Sequence, residues 1–217
     1  MLAEGLAAGL APESIYVTAA GVAGLPEAAK SFDDRLFAVP DRAMERLSDL
    51  EQPPGILAVF ATAFEPLDAL LGRGEPAVAL AVSDPGNAGT LLRSAEIFGL
   101  PGCVFLTEAV EPHNPKVVRA SMGAVFRMRL AVAEPEALLA AAERHGYTLV
   151  ATASDGEPLP SFQFPPRPLI VIGHERRGVA RLPRYDRAVA IPQRGGGESL
   201  NAAVAGGIIL YAFSQQV

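Results

Sequence analysis

From residue 77 onward the chain alternates short, largely apolar runs with longer amphipathic stretches, and few folds accept that alternation. The runs Ala77 to Val82, Cys103 to Leu106, Phe126 to Ala131, Tyr147 to Ala151, Leu169 to Ile172 and Ala188 to Ile191 have the length of strands. Runs this apolar suit strands covered on both faces. Between them, Asn87 to Phe98, Pro115 to Ser121, Pro135 to His145 and Leu200 to Phe213 carry helical spacing. Strand, helix, strand in repetition is the pattern of an α/β fold with a parallel sheet. Upstream, Pro66, Gly72, Gly74 and Pro76 predict an interdomain linker over residues 64–75. Residues 1–63 then form a separate α/β unit ending in the strand Ile56 to Phe60, and residues 76–217 the main domain. With 217 residues, half of them hydrophobic, the chain can bury one core plus a small appended domain.

The single cysteine, Cys103, lies in an apolar run without a disulfide partner, and no Cys/His cluster suits a metal. No apolar stretch approaches the ~20 residues that span a bilayer. The opening MLAEGLAAGLAPES lacks the basic segment of a signal peptide, so the cytoplasm is the expected compartment. A net charge of −6 argues at first against nucleic acid, since Lys and Arg neutralising phosphates supply most of that affinity. The charge is uneven, however. Residues 1–75 hold twelve acids against five bases, whereas residues 167–194 hold seven arginines (167, 176, 177, 181, 184, 187 and 194) against Glu175 and Asp186. Arginine suits forked contacts to phosphate, although an ordinary solvated face has the same composition.

Three stretches can carry chemistry. In SDPGNAGTLLRSAEIFGL, residues 83–100, a strand ends, turns and opens a helix on which Asn87, Thr90, Arg93 and Glu96 form a polar stripe opposite Leu91, Leu92, Ala95 and Phe98. Ligands of open α/β sheets bind beyond the carboxyl ends of strands, where a helix N-terminus offers unpaired N–H groups. A capped surface helix whose Arg93 pairs with Glu96 or Glu108 fits the same pattern. The single Gly89 makes neither a dinucleotide fingerprint nor a P-loop. In PLIVIGHERRGV, residues 168–179, a buried strand runs into Gly173, which lets a ligand approach the backbone, and Glu175. In AIPQRGGGESLNAAVAGGIILYAF, residues 190–213, a strand and a glycine run precede Ser199, a predicted N-cap. The helix that follows has no charge from Ala202 to Phe213, so it is expected to be buried all round, in a subunit interface or in the core of a monomer.

Together these stretches resemble the three motifs of the SPOUT superfamily, specifically its SpoU/TrmH family of RNA ribose methyltransferases. The first motif is matched by Asn87, Gly89 and Arg93, followed by NPKVVRASMGAVFRM at residues 114–128. The second is matched by Gly173, His174 and Glu175, with His174 where the family usually has Asn, and the third by IPQRGGGESLNAAVA at residues 191–205. The resemblance spans about residues 76 to 217, with order and spacing intact. It implies a C-terminal trefoil knot, an exception to the rule against knotted chains. S-adenosylmethionine is then expected at Ala151, Thr152, Ile172, Gly173, His174, Glu175, Ile191, Pro192, Ser199 and Leu200. The resemblance further implies a homodimer formed through the knotted domain. Residues 1–63 are similar to a ribosomal-protein-L30e-like, RNA-binding domain, shortened at its start.

What the resemblance implies is transfer of a methyl group from S-adenosylmethionine to a ribose 2'-hydroxyl of RNA, rRNA rather than tRNA because of the appended domain. Arg93, Asn87, Glu175, Ser199 and Asn201 are the expected catalytic set. Arg93, acting from the partner subunit, would bind the neighbouring phosphate and orient the hydroxyl. Asn87 and Glu175 would organise Arg93 and its loop, and Ser199 and Asn201 the cofactor side. RNA contact is expected of Arg119, Arg176, Arg177 and Arg194. The alternative is a non-catalytic RNA-binding protein, such as a ribosome assembly factor, with the same fold; methylation of a base nitrogen is disfavoured by Asn87 with Arg93.

Overall fold

The computed structural model describes residues 1–173, 182–195 and 199–216. It divides into two compact units, Met1–Ala63 and Phe64–Val217. The first is built from α1 (Leu2–Ala7), β1 (Pro12–Val17), β2 (Leu36–Ala38), α2 (Asp41–Leu47) and β3 (Ile56–Phe60). Its sheet has the order β2-β1-β3, with β1 parallel to β2 and antiparallel to β3. Leu2, Ile15 and Ala29 form its small core.

The second unit comprises α3 (Leu67–Leu71), β4 (Ala77–Leu80), α4 (Pro85–Ile97), β5 (Gly102–Leu106), α5 (Pro115–Ala120), α6 (Ala124–Arg127), β6 (Arg129–Ala133), α7 (Pro135–Arg144), β7 (Thr148–Pro158), β8 (Pro168–Ile172), β9 (Arg187–Ala190) and α8 (Ala202–Ser214). Its sheet has the order β6-β5-β4-β8-β7-β9, and every pairing is parallel. Each face carries its own core. Leu91, Phe105, Ile170 and Phe213 lie in one, and Leu71, Val104, Leu138 and Val171 in the other. Burial on both sides explains why β4, β5 and β8 contain only apolar residues, glycine and one proline. None of the described helices is long and apolar enough to cross a membrane.

Several expectations change. Residues 64–75 are not a linker. The Glu65 N–H donates to the Leu130 carbonyl at 2.8 Å, α3 buries Leu70 and Leu71 against the sheet, and the Tyr147 hydroxyl donates to the Glu75 carbonyl at 2.6 Å. Proline and glycine mark where regular structure breaks, not whether the segment between the breaks docks. The strand expected over Phe126 to Ala131 begins only at Arg129, because Gly123, in the left-handed region at φ 91°, opens the short helix α6. β7 runs seven residues beyond its expected end at Ala151, with a register shift between Thr152 and Glu157 that displaces residues 153–156 from the ladder with β9. Within the single chain the last helix is covered on one side only, so the core of a monomer does not account for its lack of charge. Ala203, Gly206, Ile209, Leu210 and Phe213 face the core, whereas Val204, Ile208 and Tyr211 are exposed.

Candidate active site

The site is built on the carboxyl edge of the parallel sheet, where four neighbouring strands β4, β8, β7 and β9 end. The Ala81 N–H donates to the Ile172 carbonyl at 3.0 Å, which holds the exit of β4 beside the exit of β8. One residue on, the buried Gly173 donates its N–H to the Thr152 hydroxyl of β7 at 3.4 Å. Thr152 is paired in turn with Val189 of β9, whose chain continues into Ile191 and Pro192. Gly156, in the displaced stretch of β7, lies so close to β9 that a Cβ there would meet the Ala188 carbonyl carbon at 2.6 Å. This requirement for glycine was missed in the sequence, although Asp155-Gly156 is a turn-type pair.

Beyond β4, Asp84 caps α4 by accepting the Asn87 N–H at 2.7 Å, and Pro85 occupies the first turn, where its missing N–H costs nothing. The helix buries Ala88, Leu91, Leu92 and Ala95 and turns Thr90 and Arg93 to solvent, as the polar stripe predicts. Arg93 has no carboxylate partner among the described residues. Glu96, offered by its spacing as that partner, is instead held by Arg127, whose Nη2 donates to Glu96 Oε2 at 3.0 Å.

The start of α8 closes the site. Ser199, the expected N-cap, is exposed and precedes the cap. The cap is Asn201, whose Oδ1 accepts from the N–H groups of Ala203 at 2.9 Å and Val204 at 3.2 Å. The same side chain donates its Nδ2 to Asn87 Oδ1 at 3.0 Å. One amide therefore caps the start of α8 and ties it to the first turn of α4. The two helices can approach because Gly206 packs where a Cβ would meet Leu91 of α4 and, at 2.8 Å, Ile172 of β8. Leu200, 42% exposed, stands at the rim.

Of the expected residues, the structure thus joins Asn87 to Asn201 and Thr152 to Gly173, and sets Ala151, Ile172, Ile191 and Pro192 at the same sheet edge. His174, Glu175, Arg176 and Arg177 lie outside the described residues. Arg119 is half-buried on α5, and Arg194 is exposed beyond β9. The arginine-rich segment is less available than its composition implies. Arg184 pairs with Glu143 at 2.6 Å. Arg187 binds Glu157 at 2.9 Å, donates to the Gln163 carbonyl at 2.6 Å and covers the Phe162 ring at 4.2 Å. Arg167 reaches the His145 carbonyl at 3.5 Å. Cys103 is wholly buried, and burial pushes its thiol well above the ordinary range, so it offers no nucleophile.

Residues 77–211 match the model of the SpoU rRNA Methylase family. The chain is 32% identical over 194 residues to a 23S rRNA (uridine(2479)-2'-O)-methyltransferase of Streptomyces viridochromogenes, covering 84% of this chain and 68% of that one. It is 38% identical over 138 residues to an uncharacterized tRNA/rRNA methyltransferase of Archaeoglobus fulgidus, covering 62% of each. The structure is similar to that of an AdoMet-bound rRNA methyltransferase from Sinorhizobium meliloti, with a TM-score of 0.87 and 26% identity over 100% of this chain and 84% of that one.

Proposed function

The chain belongs to the SpoU rRNA Methylase family, and from that premise we propose that it transfers a methyl group from S-adenosylmethionine to a ribose 2'-hydroxyl of RNA, rRNA rather than tRNA. The observation that carries this reading is the Asn87–Asn201 bond, which sets α4, bearing Arg93, beside the sheet edge at Gly173. That edge fits the cofactor. Gly173 is buried at a strand end, Ile191 is half-buried and Leu200 is exposed, so apolar surface and open backbone are available there for a purine ring. Ala151, Thr152, Ile172, Gly173, Ile191, Pro192, Ser199 and Leu200 would hold it, with His174 and Glu175 completing the set. When bound, S-adenosylmethionine supplies an electrophilic methyl group on a sulfonium centre.

The chain's own residues act mainly by positioning, which can account for much of the rate of such a transfer. Arg93 projects into solvent, and a guanidinium offers five N–H donors and no acceptor. It therefore serves as a phosphate-binding group that orients and polarises the 2'-hydroxyl, not as the base. Asn87 and Asn201 keep the helix that carries it in register with the cofactor edge, and Glu175 is assigned to the same network. RNA phosphates are assigned to Arg119, Arg176, Arg177 and Arg194, whereas Arg184 and Arg187 are taken up in ion pairs.

Three further features belong to this proposal. In the sheet β7 lies between β8 and β9, and α8 packs against β8 and α4, an arrangement that supports a trefoil knot. The exposed stripe of α8 supports a homodimer through the same region. The α/β unit 1–63 supports an L30e-like RNA-binding domain, and cytoplasmic RNA is the substrate.

The test is calorimetric titration with S-adenosylmethionine, alongside transfer of labelled methyl into unmodified rRNA and mapping of the methylated atom. Arg93→Ala is expected to lower turnover by about 10²–10³-fold with cofactor affinity nearly unchanged. Loss of cofactor binding in the same variant would overturn the role given to Arg93. Absence of cofactor binding in the wild type would overturn the methyltransferase reading itself.

A further inference from the structure

Among the described residues Met122 is the one non-glycine residue with positive φ, at 50°, and it is 57% exposed. The left-handed conformation suits Gly or Asn, and a long apolar side chain there opposes both local sterics and the hydrophobic effect. Packing does not offset this cost, since the side chain is mostly in water. The turn around it is nonetheless firmly held. The Met122 N–H donates to the Arg119 carbonyl at 3.2 Å, and its carbonyl accepts from Arg127 Nη2 at 3.4 Å. The neighbouring Ser121 is fully buried, with its hydroxyl donating to the Val118 carbonyl at 2.8 Å.

The turn also stands beside Arg93. Gly89, Arg93 and Glu96 follow one another at helical spacing along one face of α4. At Gly89 this face meets the backbone of Val117 and Ser121, where a Cβ would come within 2.6 and 2.8 Å. At Glu96 it meets Arg127, the residue that binds the Met122 carbonyl. Arg93 lies between these two contacts in sequence, so the strained turn runs along the helix face from which Arg93 projects.

An exposed, polarisable thioether beside a solvent-facing cation suits a nucleotide, with an unpaired base against the sulfur and its phosphate on the guanidinium. We propose that Met122 is a substrate-contact residue, on which a base next to the target ribose of the RNA rests while Arg93 holds the phosphate. The inference rests on the methyltransferase reading above, and it identifies the substrate at this point as unpaired RNA, because a base within a duplex presents no face to a side chain.

The test compares the wild type with Met122→Ala and Met122→Asn in three measurements: thermal unfolding, cofactor titration, and anisotropy of a short fluorescein-labelled single-stranded RNA of mixed sequence. Both variants are expected to bind the RNA about tenfold more weakly, and to raise KM for rRNA more than they lower kcat, with cofactor affinity unchanged. Met122→Asn, which tolerates the backbone, is expected to unfold no lower than the wild type. RNA affinity equal to the wild type would overturn the inference even where methyl transfer proceeds. Dissociation of a dimer by either variant would overturn it in favour of a contact between copies. A wild type that binds this RNA but binds no cofactor and transfers no methyl to rRNA would sink the methyltransferase reading while leaving the Met122 comparison readable.

Discussion

Asn201 performs two tasks with one amide. Its oxygen satisfies two N–H groups at the start of α8, and its nitrogen reaches Asn87. A serine retains the first task and is too short for the second. Asn201→Ser is therefore expected to unfold near the wild-type midpoint and yet turn over slowly, whereas Asn201→Ala is expected also to lose ~1 kcal/mol of stability through the missing cap. Urea unfolding with a methyl-transfer assay separates the two, and full activity in the serine variant would show that the Asn87 bond is dispensable. The fates of Arg184 and Arg187 carry the same lesson about single residues. Both contribute to a charge surplus that suggests RNA, and both are occupied by carboxylates distant in sequence.

Among the elements, the approach of α5 to α4 decides the geometry around Arg93. Gly89 permits that approach, and its restraint comes from backbone atoms, the Val117 carbonyl and the Ser121 nitrogen, which cannot rotate away as a side-chain tip could. Gly89→Ala is expected to destabilise the second unit by about 1–3 kcal/mol and to lower turnover beyond what the remaining folded fraction explains, as measured by unfolding and by rates at saturating cofactor. Sequence reasoning places Gly89 in the motif but not this reason for it, because its neighbours belong to another helix. Residues 124–128 show the complementary failure. Alternating Phe126, Met128 and Leu130 read as a strand, but the left-handed backbone at Met122 and Gly123 first turns the chain into one short helix.

For the molecule as a whole, the exposed stripe of Val204, Ile208 and Tyr211 matters most. These residues recur at i, i+4 and i+7 on one face of α8, which is uncharged along its length, and Tyr211 meets Phe98 of α4 edge-on at 5.7 Å. A helix with one face in its own core and an apolar face in water is suited to cover a second copy of itself. Replacing Val204 and Ile208 together by Glu is expected to convert a dimer to monomers in sedimentation velocity, with the unfolding of each unit little changed. A wild type that sediments as a monomer would remove the dimer from the proposal and, with it, the expectation that Arg93 acts from a partner subunit, leaving it to serve the sheet edge of its own chain.

The positions of the main strands and helices were legible in the sequence because burial on both faces of a parallel sheet leaves apolar runs that local spacing reveals. The first motif was legible too, since its polar stripe on α4 is a local requirement of a strand-to-helix turn, whereas the cap of α8 falls at Asn201 and not at the expected Ser199. The strand order was not. Parallel core strands resemble one another, so nothing local says that β8 enters between β4 and β7 or that β9 lies outside them. Only the tertiary structure could decide what depends on pairs far apart in the chain: the Asn87–Asn201 bond across 114 residues, the carboxylates that occupy Arg184 and Arg187, and the docking of residues 64–75. Each is settled by which surfaces meet, and that is fixed by packing rather than by the residues on either side.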